Sequence, residues 1–487
     1  MSFARRVRLS RIETGRLASL ALPILGAQLA QMSMGTVDVA MSGHFSARDL
    51  AAVSIGSSIW LPLVLFMVGT LMGLTPIVAQ YVGARRLADI RPAVHQALWI
   101  AGVMGVLISI VVALIAQPVF TLMHVPADVA PPAAGYLYAV AFGLPAMALY
   151  ETLRFYSDGM SHTRASLLFA LLGLGINTLA NGVLIYGGPG LESVLGDRVP
   201  PALAGLPAMG AVGCGIATAI SMWAMFIGLF IYTRRARAYA PARSGPAFSW
   251  PSAQQMSELL SVGLPVGVAI FAEVSLFTLI ALFLAGYGEV VISAHTIALN
   301  FSSVLFMLPL SLGMALTVRV GQALGRGKYR HARFISLNGV AFALAVAFLI
   351  DVIILELGPF AVSLYTGNVA VQTLAINLLL VAMLYQFSDA LQVAIAGALR
   401  GYKDTRIIMG VTLVSYWVVG IGLGNLLGRG ITGWFDGLGV YGYWIGLIAG
   451  LSVAAALLGR RLLHITRNPP AKAGPRPPNQ HRQNVAV

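Results

Sequence analysis

The chain has 487 residues, of which 58% are hydrophobic and only 10% are charged, and its mean hydropathy is +0.83. A soluble domain carries about 25% charged residues, so this composition excludes a soluble protein and indicates an integral membrane protein with many spans. The net charge of +14 is spread over short connections and tails, which is typical of membrane topology and argues against a nucleic-acid partner. The single cysteine excludes an intramolecular disulfide.

Apolar segments bounded by charged, polar or Gly/Pro residues predict twelve membrane-spanning helices, since about 20 apolar residues cross a bilayer core as a helix. All but three of the 31 Lys and Arg residues (Arg48, Arg198 and Arg429) then fall on one side of the membrane. The positive-inside rule places both termini on that side, in the cytoplasm. The predicted spans cover residues 17–41, 50–79, 93–117, 131–156, 163–187, 210–233, 257–286, 292–318, 334–358, 373–399, 407–428 and 438–463.

The two halves of the chain are related by an internal repeat. A gapless shift of 242 residues places Gln80 on Gln322, Gly83 on Gly325 and Pro23 on Pro265. Six spans separate the two copies, so both halves cross the membrane in the same direction, as parallel repeats do. We therefore predict an all-α membrane protein with two pseudo-symmetric six-helix lobes and a cavity between them.

This architecture needs no partner subunit, and we expect a monomer surrounded by lipid. The C-terminal tail is rich in proline and polar residues, which predicts disorder. The predicted parts are a cytoplasmic N-terminal segment (1–16), an N-terminal lobe (17–233), a cytoplasmic linker (234–254), a C-terminal lobe (255–464) and the disordered tail (465–487).

Two acids in the C-terminal lobe are the strongest candidates for function. Glu273 lies near the middle of the seventh span, and no Lys or Arg stands at helical spacing from it. Asp389 lies in the tenth span, with Tyr385 and Gln392 on the same helical face. A carboxylate in hydrocarbon costs several kcal/mol unless it is neutralised, paired or open to water. Because no fixed basic residue is placed to neutralise these acids, we interpret both as holders of a proton or a mobile cation.

The first span carries a polar face on which Gln28, Gln31 and Asp38 recur at helical spacing. Asn177 and Asn181, one turn apart in the fifth span, are candidate partners for Asp38. Buried amides can form interhelical hydrogen bonds or contact a substrate, and both interpretations stay open at this point.

Other polar positions are expected to be structural. His295 is a lone histidine near an interface, and Glu151 has Arg154 at i+3, which predicts a salt bridge. Asp351 and Glu356 lie towards the outer end of the ninth span, where their side chains can reach water.

These residues predict a transport mechanism. An acid that faces the two sides of the membrane in turn can exchange Na⁺ or H⁺ for a cationic substrate, because one negative charge cannot serve both. Each elementary charge that moves down roughly 100 mV supplies about 2.3 kcal/mol. The sequence has no nucleotide-binding GxxxxGK[ST] motif, so ions must drive any active transport.

The chain resembles the multidrug and toxic compound extrusion (MATE) transporters, in particular their bacterial NorM branch. The resemblance is carried by LALPILGAQLAQMSMGTVDVAMSGHFSARDLAAVSIG near the start, by GLPVGVAIFAEVSLF around Glu273 and by SDALQVAIAGALRGYKDTR from Ser388. It implies an antiporter that exports organic cations and amphiphilic drugs, driven by Na⁺ or H⁺, in which two lobes rock between inward-open and outward-open states.

The resemblance also implies two sites, and it leaves open which of them binds the coupling ion. No enzymatic activity and no tightly bound cofactor other than the coupling ion is expected. The coupling-ion site is assigned to Glu273, Asp389, Tyr385 and Asp38, with Na⁺ possible at the first three. The substrate site of the N-terminal-lobe cavity is assigned to Asp38, Gln28, Gln31, Asn177, Asn181 and Gln392.

Three alternatives differ in the residues they require. A major-facilitator antiporter also has two six-helix halves, but its acidic-basic signature between the second and third spans is absent, and AQYVGARRLAD stands there instead. A lipid-linked precursor flippase of the same superfamily would need additional spans and basic residues inside the cavity to hold a pyrophosphate, and no predicted span clearly encloses a basic residue. A membrane-embedded enzyme would need clustered His, Asp or metal ligands, and the eight His residues are dispersed.

Overall fold

The computed structural model describes residues 3–195, 205–431 and 435–468. Twelve helical segments in this part of the chain are long and apolar enough to cross a membrane, which confirms the predicted number of spans. We number these spans one to twelve in chain order. We call the end of the bundle at which span one begins and span twelve ends the basal end.

The first six spans form the N-terminal half of the molecule. They are α1 (Phe3–Phe45), α2 (Ala47–Leu71) with α3 (Leu74–Gly83), α4 (Ile90–Leu122), α5 (Ala130–Gly159), α6 (Thr163–Leu195) and α7 (Gly210–Arg235). Span two is therefore broken at Met72 and Gly73, and a short 3₁₀ helix (Leu87–Asp89) precedes α4.

The last six spans form the C-terminal half. They are α8 (Ala253–Ala285), α9 (Glu289–Gly325), α10 (Tyr329–Tyr365), α11 (Val369–Gly401), α12 (Thr405–Leu413) continued by a π-helical stretch (Val414–Ile421) and α13 (Gly422–Arg429), and α14 (Val440–Arg467). Two short antiparallel strands, β1 (Gly430–Ile431) and β2 (Phe435–Asp436), connect spans eleven and twelve. They are the exception to the predicted all-α fold.

Several helices extend past the predicted spans. α1 begins at Phe3, so the described part of the predicted N-terminal segment is continuous with span one. α11 ends at Gly401 and includes Arg400, which the prediction had placed in a turn. The predicted linker contains a 3₁₀ helix (Arg237–Ser244), and the helix of span twelve reaches Arg467 before the tail, whose residues 469–487 lie outside the described part. Apolar composition predicts which residues cross the bilayer. It does not predict where a helix ends, because the ends are set by backbone hydrogen bonding.

The hydrophobic core has two parts that follow the two halves of the chain. One buried cluster consists mainly of residues from spans one to six, such as Ile24 and Tyr136. The other consists mainly of residues from spans seven to twelve, such as Leu276 and Trp444. Each half therefore buries its own apolar side chains, which leaves the surface between the halves for more polar and smaller residues.

Glycines let the two halves approach each other closely. A Cβ on Gly73 would lie 2.6 Å from the Cα of Gly263, and one on Gly69 would lie 2.8 Å from the Cα of Gly267. These glycines bring spans two and seven into backbone contact, in the way that small residues pack membrane helices. A side chain at any of these positions would push the two spans apart.

The repeat is visible in the contacts between the halves. A Cβ on Gly83 would collide with the Gln322 carbonyl, and one on the equivalent Gly325 would collide with the Gln80 carbonyl. The Gln80 side chain donates to the Gly401 carbonyl at 3.0 Å, and the side chain of Gln322 donates to the Ser161 hydroxyl at 2.8 Å. The two halves thus exchange equivalent contacts across a pseudo-twofold axis.

An ionic contact joins the halves at the basal end. Glu13 of span one is 1% exposed and pairs with Arg319 of span eight at 2.5 Å and with Arg16 at 2.9 Å. Asn338 of span nine accepts from Ser10 and donates to a threonine hydroxyl of span one at 3.1 Å. The described hydrogen bonds and ion pairs between the halves lie between the basal end and the middle of the bundle, so this conformation is closed at the basal end.

Candidate ion and substrate sites

The acid of the N-terminal half lies in a complete shell of hydrogen bonds. Asp38 is 5% exposed. One of its oxygens accepts from the side-chain amides of Asn177 at 3.0 Å and Asn181 at 2.6 Å, and the other accepts from the hydroxyl of Thr218 at 2.9 Å. The structure therefore brings together three of the residues singled out in the sequence and adds a fourth. Donors on spans five and six hold the carboxylate from both sides and favour its charged form.

Thr218 was missed in the sequence because it lies in an apolar span. The signal was present but weak, since Cys214, Thr218 and Ser221 share one face of span six at helical spacing. The sulfur of Cys214 lies 4.0 Å from the Asp38 carbonyl. A stripe of small polar residues that faces a buried acid is the feature that could have located this donor.

Gln28 and Gln31 do not join Asp38, although all three belong to the polar face of span one. Gln31 lies seven residues before Asp38, which is about 10 Å along a helix. Its side chain donates to Glu151 at 2.8 Å and accepts from Arg154 at 2.9 Å. The amide of Gln28 points to the sulfur of a C-terminal-half methionine, Met314, at 3.7 Å. The predicted N-terminal-lobe set thus divides into the Asp38 group and a group around Gln31, while Gln28 belongs to neither.

The second of these groups is a buried ion network. Arg154 is 2% exposed and donates to both oxygens of Glu151 at 3.1 Å. Its guanidinium also lies 3.9 Å from Asp158, which accepts from Ser166 at 2.8 Å. The predicted salt bridge between Glu151 and Arg154 is present, and the arginine is matched by two acids of its own span.

The acids of the C-terminal half have a different environment. Asp389 is 1% exposed, and neither of its oxygens has a hydrogen-bond partner of normal geometry among the described residues. The phenol of Tyr385 and the carboxylate of Glu273 are its nearest polar neighbours. The structure therefore brings together Glu273, Asp389 and Tyr385, as the sequence suggested, and leaves one carboxylate without fixed donors.

Further polar groups surround these acids without hydrogen-bond partners in the described part of the chain. Tyr416 is fully buried, its hydroxyl is unpaired, and its polar neighbours are Glu273, Asp389 and Tyr385. It lies on the π-helical stretch of span eleven, a geometry that often marks functional sites. His295 is also buried with both ring nitrogens unpaired. Tyr416 could not be found from the sequence, because a lone tyrosine in an apolar span has no pattern.

Gln392, which was assigned to the substrate site, lies on span ten, three residues after Asp389. It is 4% exposed, and its side-chain oxygen has no described partner.

No cluster of three or more His, Cys, Asp or Glu side chains occurs within the described ranges. The two carboxylates and two phenols offer only hard oxygen atoms, which suit a proton or Na⁺ and do not suit a transition metal.

Arg400 is the basic residue that the sequence interpretation overlooked. It is 7% exposed, its Nη1 atom lies 3.3 Å from the sulfur of Met72, and its other two nitrogens have no partner in the structure as described. Its charge acts on Glu273. The expectation that no basic residue lies within the spans is wrong, because α11 continues past its apolar segment and buries this guanidinium beneath the N-terminal half.

Comparison with known proteins places the chain in a family. The MatE family model matches residues 23–183 and 265–426, and the starts of these two segments are separated by the repeat shift found in the sequence. The chain is 43% identical to the multidrug resistance protein PmpM of Pseudomonas aeruginosa, over 94% of this chain and 92% of that protein. It is 41% identical to the multidrug resistance protein NorM of Vibrio vulnificus, over 92% of this chain and 95% of that protein.

Solved structures show the same fold. An outward-facing multidrug resistance MATE transporter of the MOP superfamily superposes with a TM-score of 0.80 at 19% identity, covering 93% of this chain and 96% of that one. The eukaryotic MATE transporter AtDTX14 gives a TM-score of 0.79 at 20% identity with the same coverage. The repeat, the twelve spans, the family model and the long alignments agree: this chain is a member of the MATE family of transporters, in the branch that contains NorM.

Proposed function

We propose that this protein exports drugs across the bacterial inner membrane, with organic cations and other amphiphilic drugs leaving in exchange for Na⁺ or H⁺. Two relatives with more than 40% identity over most of both chains carry the name multidrug resistance protein, which supports the substrate class. The observation that carries the exchange mechanism is Asp389, a buried acid whose two oxygens have no hydrogen-bond donor of normal geometry among the described residues.

The physical chemistry of that acid supports antiport. An ionised carboxylate without donors in a membrane interior is unfavourable by several kcal/mol, so Asp389 must hold a proton or a cation whenever its site is closed to water. Its neighbour Glu273 is a second acid in the same region. A cationic drug and a coupling ion compete for this negative charge, and each displaces the other on opposite sides of the membrane.

The conformation supports alternating access. The halves are joined near the basal end by Glu13 with Arg319 and by Gln80 and Gln322. We infer from the positive-inside rule that the basal end, where both termini lie, faces the cytoplasm. In that orientation the structure represents an outward-open state, and transport requires the basal contacts to break and contacts at the opposite end to form.

A flippase for lipid-linked precursors is the second candidate, and Arg400 is the observation that favours it, because a pyrophosphate needs buried basic groups. However, this one guanidinium has no oxygen partner among the described residues, whereas Glu273 and Asp389 are two acids that act on each other, so the interior of the C-terminal half carries more acid than base. An anionic headgroup would be repelled there, and the antiporter is therefore preferred.

Efflux of a fluorescent organic cation from proteoliposomes, under a Na⁺ gradient or a pH gradient in turn, tests the proposal. We expect one gradient to drive efflux by the wild type and the Asp389→Asn and Glu273→Gln variants to lose that dependence. Glu356→Gln is the matched control, because it makes the same chemical change on an exposed position of span nine. If neither gradient moves the dye and the variants behave like the wild type, the acids are structural and the flippase is preferred.

A further inference from the structure

We propose that the basal end of the C-terminal half carries a binding site for the phosphate headgroup of an anionic phospholipid. The site is a cavity of about 660 Å³ between the start of span nine and the end of span twelve. His331, which lines it, lies 3.6 Å from Glu13, so an occupant would lie next to the ionic contact that closes the basal end. The site is separate from the ion and substrate sites described above, and the proposal does not depend on the transport mechanism.

The charge of the lining is the first argument. Four basic side chains line the cavity, and no acidic side chain does so among the described residues: Lys328, Arg330, Arg333 and Arg467. None of the four has a side-chain hydrogen bond or ion pair in the described part of the chain. Guanidinium groups present N–H donors in a geometry that matches phosphate oxygens. The lining therefore fits an anion that carries a phosphate group.

The N-terminal half contains an equivalent cavity, between the start of span three and the end of span six. The repeat shift places Arg91 on Arg333, and spans six and twelve each carry a Thr-Arg pair that lines the cavity of its own half. The hydroxyl of Thr233 donates to the carbonyl three residues before it at 3.0 Å, and the hydroxyl of Thr466 does the same at 3.1 Å. The two cavities are thus built in the same way from the two copies of the repeat.

The linker between the halves fills the N-terminal cavity. Arg91 donates to the backbone carbonyls of Arg243 at 3.4 Å and Gly245 at 3.3 Å. The side chain of Arg243 lines the cavity and donates to the carbonyl of Arg234. The volume that remains is about 130 Å³. No described residue takes the place of the linker in the C-terminal half, so Arg333 lacks the carbonyl partners that its repeat mate has.

The depth of the cavity favours a lipid headgroup over a soluble phosphate. Arg333 directly precedes the predicted apolar segment of span nine, and Arg467 follows that of span twelve. One helical turn further along each span, Leu337 and Leu463 are 39% and 42% exposed, on the same helical faces as the two arginines. Basic groups between helix ends bind anionic headgroups at a membrane surface, and the exposed leucines can contact the acyl chains of the same lipid.

The C-terminal tail is the alternative occupant, because it follows span twelve as the linker follows span six. Residues 469–487 include Lys472, Arg476 and Arg482 and contain no Asp or Glu. This segment would bring further positive charge to a cavity that four basic side chains already line. Charge complementarity therefore favours an anion from the membrane.

Lipid binding to the purified protein in a non-ionic detergent, measured by native mass spectrometry, tests the proposal. We expect the wild type to bind phosphatidylglycerol in preference to phosphatidylcholine. Arg333→Gln/Arg467→Gln should bind phosphatidylglycerol about tenfold more weakly, because two headgroup contacts are lost. Arg326→Gln/Arg460→Gln is the matched control: it removes two exposed basic residues that do not line the cavity, and it should bind like the wild type.

The other outcomes overturn the proposal. Equal weakening in the two double variants would mean a general attraction between a basic surface and anionic lipid. Inorganic phosphate that binds at the cavity while phosphatidylglycerol does not would assign the site to a soluble anion. A chain shortened to end at Asn468 that binds the lipid when the whole chain does not would assign it to the tail. If Arg333→Gln/Arg467→Gln does not fold, Lys328→Gln/Arg330→Gln, at exposed positions of the same cavity, makes the same comparison.

Discussion

The two halves of this transporter each bury an acid within a membrane-spanning helix, but only one of these acids has a fixed set of donors. Asp38 accepts hydrogen bonds from Asn177, Asn181 and Thr218, whereas Asp389 accepts none of normal geometry in the described structure. A carboxylate held by three donors is stable as a charged group, and one without donors must acquire a proton or a cation. The same fold, duplicated, therefore holds one buried acid with three hydrogen-bond donors and, in the described structure, one with none of normal geometry.

The buried arginines of the two halves, Arg154 and Arg400, also differ in whether they have partners. Arg154 donates to Glu151 and lies beside Asp158, so its charge is matched within its own span. Arg400 has no such partner among the described residues, and its one described hydrogen-bond contact is the sulfur of Met72. Substitutions at equivalent levels of the two halves should therefore have opposite consequences for stability and for ion dependence.

The largest effect is expected at the matched arginine. Arg154→Met leaves Glu151 and Asp158 buried without their cation, and removing one partner of a buried ion pair costs about 3–5 kcal/mol. Arg400→Met removes a guanidinium that lacks oxygen partners, so the stability should change little or rise. Thermal unfolding in detergent measures both. Equal losses in the two variants would contradict the comparison.

Substitutions of Asp38 and Asp389 should also differ in how much they destabilise the protein. Asp38→Asn places an amide where three donors converge and should cost about 1–3 kcal/mol, because at least one buried donor loses its acceptor. Asp389→Asn has no such donors to strand and should keep or raise the unfolding temperature while abolishing ion-driven efflux. Unfolding temperature and efflux, measured on the same preparations, separate the two effects. A larger loss of stability in Asp389→Asn would show that its carboxylate is fixed by partners after all.

An effect of intermediate size is expected at the basal ion pair, which occurs on one side of the pseudo-twofold axis only. The repeat shift relates Glu13 to Gln255 and Arg319 to Ile77. Glu13→Gln removes the charge that pairs with Arg319 and should shift the population towards the inward-open state, by about 1–3 kcal/mol. Labelling of cysteines introduced between the halves reports this shift. Gln255→Ala serves as the control, and an equal response in both variants would mean that the ion pair has no special role in closure.

The smallest effects are expected at two hydroxyl groups. Thr218→Val removes one donor to Asp38 and should cost about 1 kcal/mol. Tyr416→Phe removes a buried hydroxyl that has no described partner, so it should leave stability unchanged and weaken the apparent affinity for the coupling ion. Denaturant unfolding and the ion dependence of efflux measure the two quantities. A Tyr416→Phe variant with normal ion affinity would exclude this phenol from the ion site.

Sequence patterns were sufficient for those features that follow from composition and periodicity. The number of spans, the repeat and the acids Asp38, Glu273 and Asp389 could be predicted, because a charged residue stands out in an apolar helix and a gapless shift aligns the two copies. The pairing of Glu151 with Arg154 could be predicted from their spacing on one helix. Thr218 and Tyr416 could not, since each reaches its site from a helix that carries no strong polar pattern.

By itself, the sequence determined the bilayer-spanning architecture, the twofold repeat and the residues that bear charge, since transfer of each residue from water to hydrocarbon depends mainly on its own chemistry. The tertiary structure decided which of those charged residues have hydrogen-bond or ion-pair partners. It brought Thr218 to Asp38, left Asp389 without a hydrogen-bond donor of normal geometry in the described part of the chain, and buried Arg400 against Met72. These outcomes depend on contacts between distant helices, whose relative rotation and depth are set by packing, and a pattern along one helix contains no information about them.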